Sequence, residues 1–321
     1  MYKVSVIVPT YNSAHYLPDC MDSLLSQTFK DFEVIVIDDA STDNTERVIS
    51  KYTNSFSNRL KYIKLDNNVG RGEVRNYGII EAQGEYIAFL DADDVYLPDK
   101  LKVQSKYLDE HTMVEGVSCQ YYNGNEVLEP QSLSKGLPSY FQSIFGSQFS
   151  NLEVGTVGIM LRRRVIEKVG MFDSKITRGQ DTDLIIRIWR HYRIDFISKP
   201  LFIYRRHENN TGSFTALMER TVSNLRICKK IIDSEPISRK ATAKKFAFDH
   251  LSSHIYQIRE RKHITAIKVW FFYLRKMKCN LPLVAWSILG IKVMVGYRLT
   301  KAIKRMTGLA ARECHPFDVT G

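Results

Sequence analysis

A chain of 321 residues, 44% hydrophobic and 25% charged, can bury a sizeable core as one large domain with an appendage or as two modest ones. Its balanced composition, without repeats or low-complexity tracts, excludes a fibre, a solenoid and a disordered tail. The net charge of +11 is unevenly placed: residues 1–213 carry 25 Lys+Arg against 28 Asp+Glu, and residues 214–321 carry 21 against 7. Such a basic final third either is drawn to a polyanion (an anionic membrane surface, nucleic acid or a phosphate-bearing substrate) or is a solvated face. Cys20, Cys119, Cys228, Cys279 and Cys314 are odd in number and scattered, which fits reduced thiols rather than a metal or disulfide framework. The apolar run at 4–8 leads straight into Pro9, so no secretory leader is expected, and the expected location is the cytoplasm or the inner face of the cell membrane.

Short apolar runs at 4–8, 32–37, 60–65 and 86–90 read as strands, and the stretches between them as helices. Residues 16–25 have helical spacing through Leu17, Met21, Leu24 and Leu25. Asp43, with Glu46 three residues on, can cap a helix carrying Val48 and Ile49, and a third helix is expected over 72–82. This alternation is the pattern of a Rossmann-like α/β core, a mostly parallel sheet flanked by helices that binds ligands at the carboxyl ends of its strands. Beyond residue 90 the regularity weakens. A helix is expected over 97–108, strands over 117–122 and 156–161, a turn at Asn123-Gly124 and a loop region over 132–150. A helix over 181–191 precedes strands near 195–197 and 202–205, and nearly everything from 214 onward reads helical.

Four polar clusters punctuate these elements: Pro9-Thr10-Tyr11-Asn12, Asp38-Asp39, Asp91-Ala92-Asp93-Asp94 and Gln180-Asp181. A doubly wound sheet brings the first three into one cleft. Carboxylates at 91, 93 and 94 repel one another unless cations or hydrogen-bond donors compensate them. A hard divalent ion, Mn²⁺ or Mg²⁺, does this with oxygen ligands; the alternative is a solvated turn capping the next helix.

These clusters carry a resemblance. Val-Ser-Val-Ile-Val-Pro-Thr-Tyr-Asn at 4–12, Ser26-Gln27-Thr28, Val-Ile-Asp-Asp-Ala-Ser-Thr-Asp at 36–43, Asn68-Val69-Gly70, Arg75-Asn76 and Gly-Glu-Tyr-Ile-Ala-Phe-Leu-Asp-Ala-Asp-Asp at 84–94 occur in that order. Over about residues 3–210 the chain resembles the inverting family 2 glycosyltransferases of the GT-A fold. The resemblance implies a catalytic domain at 1–213, with a nucleotide-sugar half at about 1–100 and an acceptor half at about 101–213, followed by a basic helical region at 214–321. It further implies that Pro9, Thr10, Tyr11, Asn12 and Asp39 hold the nucleotide base, and that Arg75, more than Arg71, lies near the phosphates. Asp91, Asp93 and Asp94 would bind metal and ribose, Asp93 and Asp94 most directly. His207, in Tyr204-Arg205-Arg206-His207, matches a position near metal or diphosphate in some members. Asp181 matches the base that deprotonates the acceptor, where the family has Glu-Asp and this chain has Gln180-Asp181. As alternatives, Asp181 caps a helix and Asp183 is the functional acid.

The implied donor is a nucleotide sugar, UDP-linked first of all, and the implied acceptor a glycan or lipid-linked glycan. No Gln-x-x-Arg-Trp motif of processive members is present, so transfer of one or few sugars is expected. In the final third, Val295, Leu299, Ala302 and Met306 share a helical face opposite Arg298, Lys301 and Arg305. That helix is read as lying in the plane of an anionic membrane, as packing on the core, or as a homo-oligomer interface. His250 and His254 are read as non-ligands, since no carboxylate cluster joins them. The competing class is a catalytically silent nucleotide-sugar or nucleic-acid binder; the reading adopted expects no nucleic-acid partner. A nicotinamide enzyme is disfavoured because the loop at 9–13 contains no glycine.

Overall fold

The computed structural model describes residues 2–134, 155–207 and 214–234, with isolated positions 244, 247, 251, 254, 255, 269 and 273. The chain divides into two compact units, Met1–Pro138 with Ser147–Gly212, and Ser139–Gly146 with Ser213–Gly321.

In the first unit, β1 (Val4–Thr10), β2 (Phe32–Asp38), β3 (Leu60–Lys64) and β4 (Tyr86–Phe89) pair in parallel in the order β3-β2-β1-β4. The sheet continues past β4 through β8 (Met160–Arg162), β6 (Gly116–Gly124), β9 (Ile194–Arg205) and β5 (Val95–Tyr96), with β7 (Pro130–Leu133) beside β6. Here the pairing is mixed: β8 runs antiparallel to β4 and β6, whereas β9 runs parallel to β6. Helices α1 (Leu17–Leu25), α2 (Thr45–Ser50), α3 (Thr53–Phe56), α4 (Arg71–Glu81), α5 (Lys100–Glu110), α6 (Arg163–Val169) and α7 (Gln180–Trp189) connect the strands.

Burial on both faces explains why β1 and β2 are mostly apolar rather than alternating, with the buried Ser5 and Glu33 bonded to each other across the two strands (2.6 Å). Val4, Val6 and Val8 enter a core with Leu17, Met21, Leu24 and Leu101. Ile7 instead meets α4 so closely that a Cβ at Gly78 would lie 2.3 Å from its Cγ2. Each such fully buried Val or Ile contributes roughly 1.5–3 kcal/mol.

Several expected elements differ, for identifiable reasons. Of the strand expected over 156–161, only the end pairs; Gly158 carbonyl is taken by Gln104 Nε2 (2.8 Å) and Cys119 Sγ (3.3 Å), so side chains satisfy this backbone instead of a ladder. The two strands expected at 195–197 and 202–205 are one strand, β9. Its register against β6 shifts between Cys119, opposite Ile197, and Gln120, opposite Pro200, a bulge that accommodates a residue without an N–H. Asn123-Gly124 stays in β6; the turn falls at Asn125–Leu128, and a Cβ at Gly124 would lie 2.6 Å from Ile203 Cγ2. Asp43 Oδ1 does accept from Thr45 N (3.0 Å) at the start of α2, but Glu46 turns away to Lys64 (3.2 Å).

In the second unit, α8 (Phe214–Ser234) and every described position after it are helical. His254 Nδ1 lies 2.9 Å from Tyr273 Oη. Among the described residues no helix is long and apolar enough to cross a membrane. His250 and the amphipathic stretch at 295–306 lie outside the described residues.

One buried cation tests this packing. Lys100 is fully buried, with Nζ 4.4 Å from the Tyr96 ring centre and donating to Gln104 Oε1. Burial pushes its pKa from 10.5 down to about 8. Between these values the unfolded chain holds the extra proton, so this group makes stability rise with pH across that window. For Lys100→Met, the variant-minus-parent unfolding free energy is therefore more positive at pH 7 than at pH 10, by on the order of 3 kcal/mol. Urea unfolding at the two pH values checks this; equal differences contradict it.

Candidate active site

Parallel pairing places the carboxyl ends of β2, β1 and β4 side by side, with Asp38 beside Thr10 in register and Leu90 N donating to Ile7 O (3.0 Å). The loops leaving these ends contain the expected clusters. Two non-glycine residues there have positive φ, Asn12 (47°) and Ala40 (61°), a conformation that Asn tolerates and that is uncommon and strained for Ala. Cross-loop bonds hold them: Asn12 N donates to Ser41 Oγ (2.8 Å), and Asn12 Oδ1 accepts from Thr42 N (2.8 Å). Tyr11 is 50% exposed, so its ring is not packed in the core. Thr10 is buried with Oγ1 unpartnered, and Pro9 is half-buried.

The two adjacent aspartates divide their work. Asp38 is fully buried, accepting from Ser41 N (2.9 Å) and Tyr62 Oη (2.6 Å), and so shapes the loop after β2. Asp39 receives Val69 N at Oδ1 (2.7 Å) and Gly70 N at Oδ2 (3.0 Å), tying the start of α4 to the end of β2. Gly70 has φ 88° and ψ 161°, a conformation open to glycine alone, and is the N-cap of α4.

Asp91, Asp93 and Asp94 each offer a carboxylate oxygen within 4.8 Å of the others, the metal-competent group found among the described residues. Asp91 is held by Arg75 Nη2 (2.6 Å), and Asp93 Oδ2 lies 3.0 Å from His207 Nε2. Asp94 has no exposed surface; Oδ1 accepts from Arg205 N (2.9 Å), while Oδ2 has no partner among the described residues. Burial, then the charges of Asp93 and Asp91, push its pKa well up. Cys20, fully buried, is pushed up by burial and by the same three carboxylates. A hard cation would reverse that strain, so the donor set fits a divalent ion.

Arg75 is buried on α4 with its guanidinium 5.8 Å from the Phe172 ring centre, whereas Arg71 at the start of α4 is exposed. Asn76 exchanges two hydrogen bonds with the Phe172 backbone (2.9 and 3.0 Å), fastening the segment before α7 to α4. Gln180 Cγ lies 3.5 Å from where a Cβ at Gly72 would sit. The first turn of α7, with Asp181, therefore stands beside the first turn of α4, and Arg75 reaches Asp91 from the next turn of that helix. The N-cap of α7 is Gly179, not Asp181, and Asp181 Oδ1 accepts from Thr182 N (2.8 Å). Asp183 is buried against Arg187 Nε (2.9 Å), whose other nitrogens bond the carbonyls of Val169, Gly170 and Met171. That clamp occupies Asp183 in joining α7 to the end of α6.

Three residues of this site escaped the sequence reading. Arg205, Asp19 and Tyr16 join under the acidic turn: Arg205 Nη2 donates to Asp19 Oδ2 (2.6 Å), and Tyr16 stacks on His207 with centroids 4.8 Å apart. The available signal was the need for a buried cation beside three acids, with Arg205 two residues from His207.

Comparison with known proteins converges on one answer. The glycosyl transferase family 2 profile matches residues 5–170. An uncharacterized glycosyltransferase of Methanocaldococcus jannaschii is 34% identical over 212 residues, 63% of this chain and 70% of that one. The poly(ribitol-phosphate) beta-N-acetylglucosaminyltransferase TarS of Staphylococcus aureus is 41% identical over 139 residues, 42% of this chain but only 24% of that protein. The structure of its residues 1–349 with UDP-GlcNAc superposes with TM-score 0.67 at 22% identity, covering 95% of this chain and 92% of that one. The Pyrobaculum calidifontis mannosyltransferase PcManGT with GDP-Man and Mn²⁺ gives 0.57 at 18% identity, covering 95% and 88%. With its parallel first half, mixed second half and profile match over half its length, the chain belongs to glycosyl transferase family 2 and has the GT-A fold.

Proposed function

We infer that the chain transfers a sugar from a UDP-sugar to a hydroxyl of a glycan or lipid-linked glycan, with inversion, in cell-surface polysaccharide or glycoconjugate synthesis. The observation that carries this is the convergence of Asp91, Asp93 and Asp94 after the parallel strand β4, with Arg75 of α4 on one of them and the first turn of α7 packed against the start of that same helix. Relatives with this fold support the donor class, one seen with UDP-GlcNAc and another with GDP-Man and Mn²⁺.

Asp93 and Asp94 would hold Mn²⁺ or Mg²⁺, with Asp91 in support and His207 beside Asp93. Such an ion neutralises the charge that develops on a departing diphosphate. Arg75, fixed by Asp91, sets a permanent positive charge beside the phosphates. The half-exposed Tyr11 ring offers a stacking face to the base, in the loop formed by Pro9, Thr10 and Asn12. Each Asp39 oxygen keeps a lone pair beyond its backbone donor, so the carboxylate can still accept a uracil imide N–H. Asp181 takes the proton of the acceptor hydroxyl as oxygen attacks the anomeric carbon from the face opposite the diphosphate.

Given UDP-GlcNAc and Mn²⁺, the protein is expected to release UDP, and EDTA to abolish release; no release from any UDP-sugar contradicts the proposal. Asp181→Asn is expected to lose about 10²-fold or more of turnover with donor affinity retained. Near-parental turnover would remove Asp181 from the mechanism.

At Gln180, where the family resemblance implies a glutamate, the amide has a role of its own. Its Nε2 donates to Thr177 O (2.7 Å), closing the turn that presents Asp181. A carboxylate cannot donate there and adds a second anion beside the base. For Gln180→Glu, kcat is expected to fall about tenfold at neutral pH with the donor KM unchanged. An unchanged kcat would show that the turn does not need the amide.

A further inference from the structure

Arg205, at the end of β9, is a buried arginine that touches no expected substrate atom. Its side chain is 4% exposed, yet its donors reach three separate elements. Nε donates to Asp93 O (2.7 Å), Nη1 to Glu126 O in the β6–β7 turn, and Nη2 to Asp19 Oδ2 (2.6 Å) on α1, while its backbone N–H holds Asp94 Oδ1 (2.9 Å). The guanidinium lies 5.1 Å from the Tyr16 ring centre, and the same ring stacks on His207, which meets Asp93 Oδ2 at 3.0 Å. One strand end thus grips the acidic turn at the Asp93 carbonyl, the Asp93 carboxylate and the Asp94 carboxylate.

We propose that Arg205 is the positioning residue of the divalent-cation site, holding the 91–94 turn in ligand geometry before any cation arrives; this rests on the metal assignment proposed above. Three carboxylates packed together would otherwise spread apart. A planar guanidinium can satisfy acceptors on three elements at once, whereas a lysine ammonium on one flexible stem cannot. Because Glu126 belongs to the acceptor half and Asp19 to the nucleotide half, the same side chain joins both halves under the site.

The test compares the full-length protein with Arg205→Lys and Asp19→Asn. Metal-free hydrogen exchange is followed for the segment at 90–96, where Asp94 N donates to Asp91 O (3.0 Å). Mn²⁺ affinity is measured separately from the electron paramagnetic resonance of unbound Mn²⁺. Arg205→Lys is expected to exchange faster in this segment while the rest of the sheet is unchanged, and to bind Mn²⁺ about 10-fold or more weakly. Asp19→Asn, altering one arm at a half-exposed side chain, should shift both readouts less, in the same direction. Unchanged exchange in a folded Arg205→Lys overturns the proposal; should that variant not fold, unchanged exchange in Asp19→Asn does so. A parent protein that binds no Mn²⁺ contradicts the metal assignment instead, and the exchange comparison still decides whether Arg205 holds the turn.

Discussion

Mutual repulsion of three carboxylates in one turn is the constraint around which the catalytic unit is organised. Left to themselves, Asp91, Asp93 and Asp94 would separate. Each instead has a partner from a different part of the chain: Arg75 from α4, His207 from beyond β9 and the Arg205 backbone from the end of β9. The compensation is incomplete, since Asp94 Oδ2 is buried without a partner among the described residues. A site held short of neutrality is the arrangement that a divalent ion completes.

Around this centre the backbone is bound at the cost of local strain. Asn12 and Ala40 have positive φ where the loops leave β1 and β2, and such strain persists only where surrounding bonds over-determine it. Those bonds come from Ser41, Thr42 and Asp38, so the loops after β1 and β2 are fixed by the protein's own contacts. On the other side, Asn76 and Gln180 fasten the segment leading into α7. Rigid loops of this kind suit a reaction in which the attacking hydroxyl must be aligned with a departing diphosphate.

The parallel half was legible because β1, β2 and β4 are buried on both faces, and largely apolar runs that end before Pro9, Asp38 and Asp91 are visible one residue at a time. The second half was less so. Asn123-Gly124 has the composition of a turn, but Gly124 is required by its contact with Ile203, 79 residues away in the chain. Pro200 would normally break a strand, and only the register shift against β6 lets β9 continue. Arg205 was hidden for the same reason. A cation that serves acceptors at 19, 93 and 126 shows no periodicity and no local spacing. The family motifs pointed to the acidic turn, while the contacts that hold it are purely tertiary.

The claim on which the account turns is that Asp91, Asp93 and Asp94 take up a divalent ion together with a nucleoside diphosphate. Anomalous diffraction from crystals soaked with Mn²⁺ and UDP, recorded near the manganese edge, addresses it directly. The account predicts one strong peak at about 2 Å from an Asp93 carboxylate oxygen, bridging to the diphosphate beside Arg75. A peak remote from all three carboxylates, or UDP bound in this cleft with no ion beside it, would contradict it.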